Sequence, residues 1–291
     1  MALSIVTNTA SMMVRTNLNS ATSAMNTAIE RMTTGYKINN AKDNAAGYNI
    51  MDTMTAKIGS FDVAYDNAQI GLDMLTTAEE SYALITSHLQ RIRDLTEQSA
   101  NGTYSSDSLL AINAEIKARL DEIDRVAGTA EYNGLMLMTG DIAENVRIQV
   151  GLYGDDHSGI SLDKGLFDKV TSTALMGGAD TTALADQFSK VEAASGDVAT
   201  DSSQYLTTID DAIKEIASRV TDLGAAQNRL ESAMTAVDTN IQQLTNSRMT
   251  IRDADVAEES TNYIQAQILQ SAAATLLSTA NQTPSIALQL V

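Results

Sequence analysis

The chain has 291 residues and a net charge of −18, with 4% aromatic side chains, one proline, no tryptophan and no cysteine. Without cysteine there is no disulfide framework and no thiol chemistry, and the negative charge argues against nucleic acid or an anionic membrane as partner, since both need a basic face. The length allows one large or two ordinary domains, and the scarcity of aromatics and proline suits long helices with narrow seams rather than a thick core.

The first residues, "MALSIVTNTASMMV", have no basic segment ahead of their apolar part, and Arg15 follows it. They are therefore not read as a signal peptide. Leu18, Ala21, Met25, Ala28 and Met32 then recur at alternating helical spacings of 3 and 4. "TTGYKINNAKDNAAG" reads as a connector between two helices. The same spacing returns at Phe61, Tyr65, Ala68, Leu72 and Leu75, and again at Ala78, Tyr82, Ile85, Leu89 and Ile92. "SANGTYSSD" is a turn, in which Asn101-Gly102 breaks the helix and Ser105 or Ser106 caps the next. That helix carries Leu109, Ile112, Ile116, Leu120 and Ile123.

The period then changes. "YNGLMLMTG", "ENVRIQVG" and "SGISLD" alternate over short runs with glycine punctuation, which predicts a small β region. Residues 171–204, rich in Ala, Ser, Thr, Gly and Asp, read as a surface excursion with a short helix. Next comes the clearest signal. Leu206, Ile209, Ile213, Ile216, Val220, Leu223, Gln227, Leu230, Met234, Val237, Ile241, Leu244, Arg248 and Ile251 keep the 3,4 spacing for more than six heptads. That is a coiled-coil seam on a helix about 70 Å long. Its two polar members, Gln227 and Arg248, either set register or face a neighbouring molecule.

The last stretch, from Ala266 to Val291, has no charged side chain. Chain ends are normally polar and frayed unless something ties them down. The charges of the two ends cancel: residues 1–48 carry +2 and residues 246–291 carry −2, so the middle holds the whole −18. Buried ends and a solvated middle are expected. No apolar run reaches the roughly 18 residues of a membrane span, so no membrane insertion is expected.

Little points to catalysis, a metal or a cofactor. His88 and His157 lie far apart, and "GDDHSG" reads as a solvated turn because the further ligands of a cation site are missing. The zinc-protease pattern HExxH, a glycine-rich phosphate loop and GxSxG are all absent from the sequence.

Five segments carry a resemblance. "NTAIERMTTGYKINNAKDNAAGYNI", "LQRIRDLTEQSANGT", "EIKARLDEIDRVAGTAEYNG", "LGAAQNRLESAM" and "AQILQSAAATLLSTANQ" resemble, in order, segments of bacterial flagellin. The likeness covers residues 1–150 and 205–291. It implies a mainly α fold, a long antiparallel coiled-coil-like bundle with a small β-hairpin region. Residues 1–44 and 252–291 would form a discontinuous inner-tube domain. Residues 45–251 would form the outer-tube domain, with a β region at 132–165 and a variable excursion at 166–204. Larger members insert outer domains where this chain has only a short link. The family's acidic residue in "SRMTIRDADVAEES" is Arg252 here, which puts one charge contact between subunits in doubt.

The function implied is self-assembly into the extracellular filament of the bacterial flagellum, after export as an unfolded monomer without a cleaved signal peptide. The terminal helices, with Leu18, Met25, Met32, Ile264, Ile268 and Leu276, would polymerise, and the apolar end would be covered by the N-terminal segment and by neighbouring subunits. The partners implied are other copies of the chain, an export chaperone at the C-terminal segment, and the filament cap and hook-junction proteins. A host flagellin-sensing Toll-like receptor would read a patch of Arg91, an exposed Leu95 and Glu115. Arg91 and Glu115 also fit a plain ion pair worth about 0–1 kcal/mol. The alternative within the same system is a hook–filament junction protein. An enzymatic flagellin with a peptidase in its variable region is disfavoured, because residues 134–204 hold one histidine and no HExxH.

Overall fold

The computed structural model describes residues 7–101, 103–175 and 198–289, with the backbone alone for 198–204 and 283–289. Helix dominates it. In chain order come α1 (Thr9–Thr34), α2 (Ala45–Ser99), α3 (Ser106–Thr129), two small hairpins, a one-turn α4 (Ser172–Leu175), α5 (Val198–Arg252) and α6 (Val256–Gln289). The described residues form two compact units. One joins Met1–Gly59 with Ile241–Val291; the other is Ser60–Asn240. Both divisions fall inside the 55-residue helices α2 and α5.

The Ser60–Asn240 unit has one contiguous core. Ile209, Ile216, Leu223 and Leu230 of α5 are fully buried, with Val237 nearly so. Ile213, Val220 and Met234 pack on that core part-buried, while Leu206 is half-buried at its edge. Opposite, α2 buries Ala64, Ala68, Leu75, Ala78, Tyr82, Ile85, Leu89 and Ile92, a single unbroken heptad frame. The expected stripe through Tyr65 and Leu72 is shifted: Ala64 and Gly71 occupy the seam, while Tyr65 is exposed and Leu72 half-buried. At Gly71 the reason is a close approach, since a Cβ there would collide with the Ile148 side chain. Ser105 caps α3 by accepting the Ser108 N–H.

Strands β1 (Glu131–Tyr132) and β2 (Leu135–Met136) turn through Asn133 and Gly134, both at positive φ. Two such residues match the right-handed twist of a tight hairpin. Strands β3 (Val146–Gln149) and β4 (Gly159–Leu162) pair antiparallel, Val146 against Leu162 and Gln149 against Gly159. Between them "GDDHSG" is a turn: Asp155 caps it by accepting the Ser158 N–H, and His157 faces solvent.

The expected excursion begins later than residue 166. Leu166, Phe167, Val170 and Leu175 belong to the core. Tyr82, fully buried, donates its hydroxyl to the Leu166 carbonyl at 2.9 Å, and Arg219 donates to the Asp168 carbonyl at 2.9 Å. Burial pushes the Tyr82 phenol above its ordinary value, with Arg219 pulling the other way. Asp124 of α3 accepts both the N–H and the hydroxyl of Ser172. These bonds satisfy polar groups that the packing removes from water. Residues 176–197 of the excursion, Thr181 and Thr182 among them, lie outside the described residues, as do the side chains of Ser202 and Ser203.

Candidate assembly surface

The two ends of the chain pair as antiparallel helices. Asn8 caps α1 by accepting the Ser11 N–H, and Gly35 ends it in the left-handed conformation, its N–H bonded to the Arg31 carbonyl. One register is pinned along the length. Asn8 Nδ2 donates to the Ala280 carbonyl at 2.8 Å, and the Ser11 hydroxyl to Asn281 Oδ1 at 2.8 Å. Gln270 donates to the Thr22 hydroxyl at 3.1 Å. Arg31 donates to Glu259 at 2.8 Å, and Glu259 is itself buried. Beyond it the turns are laced together: the Lys37 N–H donates to the Arg252 carbonyl, and the Ala254 N–H to the Gly35 carbonyl.

Arg252 has a role inside the subunit. Its guanidinium lies 3.8 Å from the centre of the Tyr36 ring and 3.3 Å from Asp253 Oδ1. The two polar seam residues are likewise used within the chain, Gln227 donating to Glu79 at 2.8 Å and Arg248 to the Thr55 hydroxyl at 3.4 Å. Ile241 and Leu244, earlier on the same stripe, are half-buried.

The seam between α1 and α6 is made of small residues. Ala21 and Ala28 of α1 are buried against Ala266 and Ala273 of α6, each pair seven residues apart. Leu18 and Met25 lie on the α1 stripe half-buried, and Met32 at its end is 36% exposed. Alanine knobs let two helices approach closely, which leaves larger side chains no room in the contact. Of the cover expected from the N-terminal segment and from neighbouring subunits, α1 supplies the part over Ala266 and Ala273 and leaves the large apolar residues of α6 open. Ile264, Ile268 and Leu276 stay 54%, 63% and 58% exposed, and Leu269 is bare beside them. On α1, Met12, Met13 and Ile29 are exposed in the same way. A groove of about 450 Å³ runs between the helices, lined by Val14, Asn17, Ser20, Ala21 and Ala24 on one side and Leu269, Ala272, Ala273 and Leu276 on the other. Such a display of contiguous apolar side chains marks an interaction surface rather than a finished monomer.

Residues 5–143 match the bacterial flagellin N-terminal helical region, and residues 206–291 match the bacterial flagellin C-terminal helical region. The chain belongs to the bacterial flagellin family. It is 31% identical to a flagellin of Listeria innocua, covering 99% of both chains, and 31% identical to a flagellar filament 33 kDa core protein of Treponema phagedenis, covering 98% of both. It also shares its fold with a solved structure described as a flagellar hook-associated protein of Vibrio parahaemolyticus. There the TM-score is 0.61 at 15% identity, over 72% of this chain and 99% of that one. Flagellins are structural, non-enzymatic subunits of the extracellular flagellar filament, and this short member is one of them. Among the described residues, no helix is long and apolar enough to cross a membrane.

The second predicted site of this flagellin lies on α2 and α3. Arg91 Nε and Glu115 Oε1 pair at 3.0 Å, both partly exposed, and Arg119 approaches the same carboxylate at 3.8 Å. His88 is half-buried, its Nδ1 3.4 Å from Arg119 Nη1. Leu95 is not part of that surface. It is 1% exposed, held in the core with Ile92 where α2 meets α3, so its expected exposure is corrected. Thr96 is buried too, while Glu97 faces solvent and pairs with Arg93 at 3.4 Å.

The signal that would have located the terminal seam was present: alanines at a seven-residue interval on both ends, and Arg31 and Glu259 in matching register. Residue size hid it, because apolarity alone assigns Ile and Leu to the buried side.

Proposed function

We propose that this subunit polymerises through the exposed faces of α1 and α6, with Leu18, Met25 and Met32 shaping the pair and Ile264, Ile268 and Leu276 meeting neighbouring copies. The observation that carries this is the bare row on α6, more than half exposed after α1 has docked. Covering apolar area stabilises by about 25 cal/mol per Å², so a polymer supplies what the monomer lacks. Residues 1–44 with 252–291 act as the inner-tube domain and residues 45–251 as the outer-tube domain. The subunit leaves the cell unfolded through the flagellar export channel. A chaperone shields the apolar C-terminal segment on the way, and the cap and hook-junction proteins receive it. Electron microscopy of purified protein after salt or seed addition tests the central reading: long filaments support it, and soluble protein under all seeding conditions overturns it.

A hook–filament junction role is the second reading, favoured by the fold shared with the Vibrio parahaemolyticus structure. Growth distinguishes the two, since a junction protein binds hook ends without elongating.

Monomer engages a host flagellin-sensing Toll-like receptor through the face of Arg91 and Glu115, and intact filament does so weakly. In a reporter-cell assay Arg91→Ala and Glu115→Ala each weaken signalling. Leu95→Ala, being a core change, acts only through stability. Unchanged signalling in both surface variants removes the site.

A further inference from the structure

Methionine is the chain's only sulfur-bearing residue type, with 13 copies, and among the described residues its exposed copies fall in one of the two units, where Met25, Met51 and Met54 are half-buried. In Ser60–Asn240, Met74 and Met138 are buried and Met136 and Met234 half-buried. The exposed methionines among the described residues, Met12, Met13, Met32 and Met249, all belong to the unit built from the two termini. Met12 and Met13 are the most open, at 63% and 69%, and stand side by side on α1. They lie off the stripe through Leu18, Ala21, Met25 and Ala28 that pairs with α6. Met32 is at the margin of exposure, its sulfur 4.0 Å from the Ser260 hydroxyl.

We propose that Met12 and Met13 are a sulfoxidation site through which hydrogen peroxide bars a free subunit from the polymer. This rests on the self-assembly reading above. A sulfur lone pair attacks one peroxide oxygen, the S–O bond forms and the O–O bond breaks. Hydroxide leaves and takes the proton from the new S–OH group, so the thioether is oxidised by two electrons and the peroxide is reduced to water. The product is a polar acceptor on a face that assembly removes from water. An acceptor buried without a donor is penalised, and the penalty recurs at every subunit added. The buried methionines of the other unit escape, so the oxidised subunit keeps its core. Once a subunit is in the filament, the same sulfurs are shielded.

The test needs only the wild-type chain. Monomer is treated with limiting hydrogen peroxide, quenched, seeded and centrifuged, and sulfoxide at each methionine is quantified by mass spectrometry in pellet and supernatant. Met12 and Met13 are expected to oxidise fastest, and their sulfoxides to be depleted from filaments about tenfold or more relative to supernatant. Equal sulfoxide fractions at these residues in pellet and supernatant overturn the proposal, as does faster oxidation of Met74 or Met138. A Met12→Leu, Met13→Leu chain, compared with its own untreated sample, should lose most of the peroxide effect on assembly; the full effect persisting there would place the site elsewhere. Failure of untreated wild-type protein to polymerise overturns the self-assembly reading instead, while the order of oxidation in monomer still reads the site.

Discussion

The two units share a helical heptad grammar and use it in opposite directions. In Ser60–Asn240 a set of large residues closes one core: Leu75, Tyr82, Ile85, Leu89 and Ile92 of α2 and Ile209, Ile216, Leu223 and Leu230 of α5 are all fully buried, while Ile70, Leu84 and Tyr153 stay exposed. Among the described residues of the terminal unit the buried hydrophobic ones are Ala21, Ala28, Ala266 and Ala273 with Ile38 the one large side chain, while Ile29, Ile264, Ile268, Leu269 and Leu276 point outward. A core residue of Leu size contributes about 1.5–3 kcal/mol on burial, and alanine much less. One unit thus has a closed core of large side chains, and on the assembly proposed above the other keeps its hydrophobic free energy for contacts with other copies. The same division accounts for the charge, because near-neutral ends can be enclosed and an acidic middle cannot.

The strongest test removes α6. Deleting residues 252–291 should abolish filaments, scored by electron microscopy, while the Ser60–Asn240 unit keeps a cooperative melt by circular dichroism. Loss of that melt would mean the two units are not separately stable. A matched pair of substitutions separates the two uses of a large apolar residue. Leu230→Asp buries an unpaired carboxylate among helices and should lower monomer stability by several kcal/mol. Ile264→Asp sits at an exposed position, where the monomer should change by only about 0.5 kcal/mol, yet it should block assembly. Equal effects on monomer melting would erase the contrast. A smaller effect is expected at Gly71. Gly71→Val drives a side chain into Ile148 and should destabilise the core unit by about 1–3 kcal/mol. Ile148→Ala in the same chain should recover part of that loss, and purely additive losses would show that the two do not press on each other.

The fold was legible wherever large residues face inward. The α5 stripe, the α3 stripe and the turn at Ser105 can all be read from spacing and cap chemistry. Legibility failed where small residues hold the contact. On α2 the seam runs through Ala64 and Gly71 rather than Tyr65 and Leu72, and at Gly71 it is Ile148 that takes the space. Ala266 and Ala273 displaced Ile264 and Ile268 because α1 and α6 approach closely. Leu95 was misplaced for a related reason. Beside the main stripe it looks solvent-facing on a lone helix, and only the packing of α3 against α2 covers it. Hydropathy finds which residues avoid water, but not which molecule supplies the cover.

The smallest effect concerns turn chemistry, which should not distinguish the units. Asp43, in the connector of the terminal unit, accepts the N–H groups of Asn40 and Asn39, and its pKa is lowered, the Asn40 bond being the largest cause. Asp155, in the β3–β4 turn of the other unit, is lowered chiefly by Ser158. For a carboxylate depressed in the folded state, the stabilisation is present above the unfolded pKa and is lost as pH falls through the folded one. Both turns should therefore stay closed through the ordinary carboxylate range and open only on its acid side. Carboxyl carbon shifts, followed by NMR as pH is lowered, should show both midpoints below the ordinary aspartate value. Asp43→Asn should remove the acid-side step in the connector and leave the β3–β4 turn unchanged. An Asp43 midpoint at the ordinary value would mean that the Asn39 and Asn40 bonds do not persist in solution. The connector between α1 and α2 would then be looser than the turn of the core unit, and the contrast between the units would extend from their cores to their loops.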